Sequence, residues 1–160
     1  TDTSIFRGTF THANTANRLY TLPDADATLG FLLQKSIATR TTNFTTTSLT
    51  FVDVTDLSIT LTTGANKVLM LFTGDLGNDT ADRVQYLTFD VDGTNQGGSL
   101  GLASATSQTD ILNKNSAIVF LSSVLSAASH TFKVQMRKDA GTGTAQLLGN
   151  PTATFVAIEL

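Results

Sequence analysis

The chain reads as an all-β fold, an antiparallel jelly-roll sandwich preceded by an extended N-terminal arm. Composition and strand periodicity lead there. Thr is the commonest of the 160 residues, with 29, and the acidic residues divide into 12 Asp and a single Glu, Glu159. Thr is stiff at χ1 and suits a pleated surface, while Asp favours caps and turns by bonding its own backbone. The helix formers Glu, Lys and Arg are scarce, and no stretch repeats apolar residues at i, i+3, i+4 and i+7 over three turns. At least six short runs with β character, separated by turn signals, suggest a sandwich or jelly roll.

Residues 1–34 alternate weakly and carry a block of Asn, Ala and Thr, and residues 39–50 are Thr-rich. We read residues 1–50 as an arm that attaches the protein and residues 51–160 as the sandwich knob. Leu57, Ile59 and Leu61 alternate with Ser58, Thr60 and Thr62, a half-buried strand that ends at Thr63-Gly64-Ala65-Asn66. Residues 67–73 are apolar on both faces, so that strand should be central or covered on its outer side. Residues 84–92 form a strand closed by Asp92-Gly93, a tight-turn signal. Residues 100–116 read as a long polar loop, and loops beyond about 12 to 15 residues are usually functional or mobile. A strand over 117–124 follows, then a short link at Ala127-Ala128-Ser129. The clearest strand comes next, with Phe132, Val134 and Met136 on one face and Lys133, Gln135 and Arg137 on the other. Residues 139–144 are a glycine-rich loop, 145–148 a short strand, and 154–160 a last strand with Val156, Ile158 and Leu160 on one face.

Composition excludes several function classes. The absence of Cys removes disulfide scaffolds, thiolate zinc sites and cysteine nucleophiles. A net charge of −3 gives no basic field for nucleic acid. The longest apolar runs, 68–72 and 117–121, fall far short of the ~20 residues of a membrane helix, so no membrane insertion is expected. The first residues lack the basic and apolar blocks of a signal peptide.

Motifs that resemble chemistry lack its context. Gly97-Gly98-Ser99-Leu100-Gly101 matches the nucleophile-elbow pattern, and Ser99, Asp110 and His130 stand in hydrolase order. That elbow requires a strand before it and a helix after it, whereas here a turn precedes and a polar loop follows. Asp90 and Asp92, and separately Asp75, Asp79 and Asp82, offer oxygen ligands for Ca²⁺ without the every-second-position spacing of a calcium loop. Asp90 and Asp92 are instead expected on a solvent-facing strand edge. His12 and His130 are isolated, and His130 reads as a hydrogen-bonding residue at a strand start. Asn43-Phe44-Thr45 and Asn78-Asp79-Thr80 are glycosylation sequons of the kind that Thr-rich chains generate by chance. No catalytic residue, cofactor or metal ligand is therefore assigned.

The segment Thr15-Ala16-Asn17-Arg18-Leu19-Tyr20-Thr21-Leu22-Pro23-Asp24-Ala25, followed by Ala27-Thr28-Leu29, resembles an Arg-x-Tyr-Thr-Leu-Pro-Asp element that recurs in bacteriophage tail-fibre and related virion surface proteins. Residues 57–160 resemble the jelly-roll knobs of phage fibres and spikes, similar in architecture to trimeric tumour-necrosis-factor and C1q heads. The stretches that carry this are residues 87–94, residues 129–137 and the closing Phe155-Val156-Ala157-Ile158-Glu159-Leu160. Ala128 stands where such knobs often have Gly before Ser-His-Thr. The resemblance implies a non-enzymatic homotrimer on the virion surface, with virion shell or fibre proteins as partners. Attachment is expected through Arg18, Tyr20, Leu22 and Pro23.

A host surface glycan or protein would meet the distal loops, residues 74–83, 93–110 and 139–149, through Asp79, Arg83, Asn95, Gln96, Gln108 and Asp110. One feature speaks against a glycan: there is no Trp and there are only two Tyr. The alternative is capsid decoration, a cement protein stabilising the shell; a secreted bacterial adhesin or a hydrolase ranks behind both. Self-association has independent support, because 14% charged residues and strands apolar on both faces leave surface that one chain covers poorly. A hydroxyl-rich surface is also insensitive to salt, since screening acts on charges.

Overall fold

The computed structural model describes residues 34–108 and 113–160. Arg18, Tyr20, Leu22, Pro23 and Asp110 lie outside the described residues. The strands among the described residues are β1 (Lys35–Arg40), β2 (Phe44–Thr46), β3 (Val52–Thr62), β4 (Val68–Asn78), β5 (Val84–Val91), β6 (Thr94–Asn95), β7 (Ala103–Thr106), β8 (Asn113–Leu121), β9 (Ser129–Lys138), β10 (Ala145–Leu148) and β11 (Ala153–Glu159), with a 3₁₀ turn at Gly98–Leu100. In the first sheet β4 pairs with β8 along one edge and with β11 and β10 along the other; β1 then joins β11, and β2 joins β10. The second sheet runs β3-β9-β5, with β6 and β7 sharing the far edge of β5. Every ladder is antiparallel, and long strands cross between the sheets, β3 to β4 to β5 and again β8 to β9 to β10, which is the wrapping of a jelly-roll sandwich.

Period-two alternation decides what lies between the sheets. Leu57, Ile59 and Leu61 of β3, Leu87 and Phe89 of β5 and Phe132, Val134 and Met136 of β9 face Val68, Met70 and Phe72 of β4 and Phe155 of β11. Phe89 and Phe155 stack across the gap, with ring centroids 5.3 Å apart. The expected central strand is β4, paired on both edges. The tight turn is present too: Asp92 (φ 51°) and Gly93 (φ 84°) both take the left-handed conformation of a type I′ hairpin.

Several expectations need correction. Residues 35–40 and 44–46, placed in the arm, form β1 and β2 and belong to the sandwich. The signal was weak because the inward side chains of β1 are Ser36, Ala38 and Arg40 instead of a large apolar row. The Arg40 guanidinium donates to the Thr55 and Asn43 carbonyls and to Asp56 Oδ2 (2.8 Å), closing the bulge where Asp56 has φ 70°. Residues 74–78 are strand, not loop; Gly74 stands where a Cβ would come within 2.9 Å of Leu147 Cδ1, so packing explains the glycine. The polar loop at 100–116 contains β7, whose Ala103 and Ala105 are too small to show as a hydrophobic strand, and β8 starts at Asn113.

On β11, Val156 and Ile158 do share a face, but it is the outer one; Ala153, Phe155, Ala157 and Glu159 point inward. Glu159 is the buried carboxylate of the strand end. It accepts N–H groups from Gly64 (2.5 Å), Asn66 (3.0 Å) and Gln34 (3.3 Å). The Gly64 amide, helped by Asn66 and Gln34, outweighs burial and holds the carboxyl below its ordinary range. Gln85 is a second buried polar group, and neither its Nε2 nor its Oε1 has a partner.

Two substitutions with opposite signs test this core. Phe155→Ala removes the inter-sheet stack and is expected to cost about 3–5 kcal/mol in urea unfolding. Gln85→Met removes two unsatisfied polar atoms and is expected to stabilise by about 1 kcal/mol.

Candidate functional site

At the tip of the β5–β6 hairpin, His130 meets Asp92 and Ser126. His130 Nδ1 lies 2.5 Å from Asp92 Oδ2, and Thr131 N–H donates to Asp92 Oδ1 at 2.7 Å. His130 Nε2 is 3.3 Å from Ser126 Oγ but only 3.0 Å from the Ser126 carbonyl. The residue types are those of a hydrolytic triad; the protons are not. A carbonyl only accepts, so Nε2 carries a hydrogen, and a carboxylate against Nδ1 holds a hydrogen there as well. Below its raised pKa the ring holds both hydrogens and offers no lone pair to take a proton from Ser126. The hydrogen bond to Asp92, then the Ser126 carbonyl, raise the His130 pKa. Burial opposes ionisation of Asp92, but its bonds to His130 and Thr131 outweigh it and lower its pKa. The Ser126 carbonyl also accepts from Thr63 Oγ1 (2.8 Å) and Ala128 N–H (2.9 Å), so the cluster is a pin holding the β8–β9 connection to the hairpin.

Ser99, the serine of the elbow-like motif, is elsewhere. It lies in the 3₁₀ turn, its carbonyl accepts Nε and Nη2 of Arg137, and both His130 nitrogens are occupied by Asp92 and Ser126. The Arg137 guanidinium lies 4.0 Å from the Tyr86 ring centroid and 5.3 Å from that of Phe51, a cation held against two aromatic rings. Beside it is a shallow depression of about 450 Å³, lined by Leu49, Thr50, Phe51, Asn95, Gly98, Ser99 and Arg137. Of these, Asn95 was expected to meet a partner and Ser99 stood out only within the elbow-like motif; the lining comes from three separate elements, and only the fold of the 93–101 loop over β5 brings it together.

The other expected loop residues are largely committed within the chain. Asp79 Oδ1 accepts the Thr144 N–H at 2.7 Å, and that amide is the main cause of its lowered pKa. Arg83 faces Asp139 at 3.8 Å, and Gln96 Nε2 donates to the Thr94 carbonyl. Gln108 is exposed. Asp90, expected on a solvent-facing edge, is buried beneath the hairpin and caps Gly93 N–H at 2.9 Å, because residues 93–101 fold back over β5. Among the described residues no three His, Asp or Glu side chains are grouped to hold a metal ion. Asn78 of the second sequon is buried.

The outer faces of the two sheets differ in kind. Across β1, β11, β4 and β8, direct ladder partners place Ile37, Val156, Leu71 and Val119 in one row, and Ile158, Leu69 and Leu121 in the next. Ile37 is 65% exposed and Val119 70%. The second sheet instead shows Ser58, Thr60, Thr131, Lys133 and Gln135, with Asp53 bonded to Lys133 (2.6 Å) and Gln135 (2.8 Å).

No protein-family model matches the chain. No curated protein matches it either. Among solved structures, one of infectious bursal disease virus, Gx strain, aligns over 79% of this chain at 11% identity and a TM-score of 0.43. The alignment spans 32% of that viral chain.

The His130 pin predicts a pH signature. A raised His130 pKa contributes stability that is full below the unfolded value near 6.5 and is lost as pH rises through the folded value; a lowered Asp92 pKa contributes stability that is full above the unfolded 3.8 and is lost as pH falls through its folded value. His130→Gln should therefore reduce the urea midpoint more at pH 5 than at pH 9. An equal loss at both would show that the charge pair contributes nothing.

Proposed function

We propose that the chain is a non-enzymatic virion-surface knob that assembles as a homotrimer through the outer face of the β1-β11-β4-β8 sheet and presents its loops to a host-surface partner. The observation that carries this reading is the contrast between the two outer faces. One row across four paired strands and the β11, β4 and β8 members of the next form a contiguous apolar patch, with Lys35 at its β1 corner, and patches of that kind mark interfaces. The opposite face is built from hydroxyls, an amide and paired charges, which suit water. The number three and the virion come from the resemblance in residues 15–29, 87–94, 129–137 and 155–160, and so does the attachment role of Arg18, Tyr20, Leu22 and Pro23.

Light scattering coupled to size exclusion tests the assembly: a mass of three chains is expected for the native protein, and a single-chain mass for Leu71→Asp and for Val119→Asp. A native monomer overturns the reading. Co-sedimentation with purified particles tests the location, and deletion of residues 1–34 is expected to abolish it while leaving the sandwich folded. Adhesion is separated from shell decoration by the particles themselves: loss of the protein should impair cell attachment and leave particle heat stability unchanged.

A further inference from the structure

We infer that the depression beside Arg137 is a binding site for an acidic saccharide unit, a sugar ring bearing a carboxylate. The inference rests on the adhesion reading and gives it a ligand class and an address.

The lining is one-sided in charge. It contains a guanidinium and no carboxylate, in a chain whose net charge is −3. The two acidic residues nearest in sequence are already held, Asp53 by Lys133 and Gln135 and Asp139 by the Val84 and Gly141 amides. The lining is also rich in donors without acceptors of their own. A guanidinium has five N–H groups; Arg137 uses Nε and one on Nη2 for the Ser99 carbonyl, and one on Nη1 for the Lys138 carbonyl. One N–H therefore remains on each terminal nitrogen, which suits the two oxygens of a carboxylate. Among the described residues Ser99 Oγ and Asn95 Nδ2 make no hydrogen bond; Asn95 uses its Oδ1, for Gly97 N–H (2.7 Å) and Thr88 Oγ1 (3.0 Å). These are donors for ring hydroxyls.

The remaining wall is apolar. Phe51 and the exposed Leu49 supply the surface that the C–H face of a sugar packs on, the element that composition alone did not promise in a chain without Trp. About 450 Å³ is within the size of small-ligand sites, and an open, shallow form suits one unit of a longer glycan. Arg137 is rigid before any ligand arrives, because Tyr86, Phe51 and the Ser99 carbonyl fix its plane. A fixed cation loses little freedom on binding, which favours affinity.

The test is a titration of the full chain with glucuronic acid and with N-acetylneuraminic acid, followed by amide chemical shifts, with glucose and sodium acetate as controls. Saturable shifts at Asn95, Gly98, Ser99 and Arg137 are expected for the acidic sugars, with a Kd on the order of 1 mM for a single unit. Asn95→Asp keeps the acceptor that Gly97 and Thr88 require and adds a negative charge to the lining, so the fold should persist while affinity drops at least about tenfold. Arg137→Gln should abolish the shifts, with the amide spectrum reporting whether the loop stays in place. Equal shifts with glucose, equal affinity for acetate alone, or unchanged binding by Asn95→Asp would each overturn the proposal, as would no saturable shift with either acidic sugar. None of these readouts depends on the mass of the assembly or on particle sedimentation, so failure here and failure of the surface-knob reading are distinguishable.

Discussion

Strand β4 hydrogen-bonds along both edges, to β8 on one side and to β11 and β10 on the other, and its side chains are apolar on both faces over its first half. That double demand organises the molecule. The inward residues Val68, Met70 and Phe72 are buried by the second sheet, while Leu69 and Leu71 emerge on the outer face beside Val156, Ile158, Val119 and Leu121. A strand with this pattern is stable in water only if something covers its second face. The fold covers one side with its own core, and the other side is the face proposed to meet a second copy.

Charge is used sparingly and locally. The inner ends of the strands are fixed by single ionised groups: Glu159 by three N–H donors, Asp92 by His130 and the Thr131 amide, and Arg40 by two carbonyls and Asp56, with its Nε left without a partner. Each sits where a connection leaves a sheet. Unpaired, such groups would be costly to bury, and the partners they have fix where the chain turns. The resemblance of Ser126, His130 and Asp92 to a catalytic set follows from this structural use of a histidine, whose two N–H groups reach a carboxylate and a carbonyl at once.

Strands whose inward residues were large and apolar were legible in the sequence. Leu57, Ile59 and Leu61, and Phe132, Val134 and Met136, advertise both their conformation and their buried face. β1 and β7 were not legible, because Ser36, Ala38, Ala103 and Ala105 are small and their burial is imposed by neighbours distant in sequence. On β11 the alternation gave the correct pairing of Val156 with Ile158 but not the side they occupy. Period two divides a strand into two faces, and which face meets the core depends on Phe155 finding Phe89. The depression at Arg137 was hidden for a related reason, since its lining comes from the β2–β3 connection, the 93–101 loop and the end of β9.

The two outer faces then assign roles that neither sheet shows alone. Along β3 and most of β9 the second outer face carries hydroxyls and internally paired charges, and at the end of β9 Arg137 stands against Tyr86 and Phe51. The Arg137 depression opens among the loops that flank this polar sheet, away from the rows of Ile37, Val156, Leu71 and Val119 that belong to the other. Burial of the apolar rows in an assembly would therefore leave the depression open to solvent. The proposed association and recognition surfaces use different residues, so a substitution at Leu71 tests the first without altering the lining of the second.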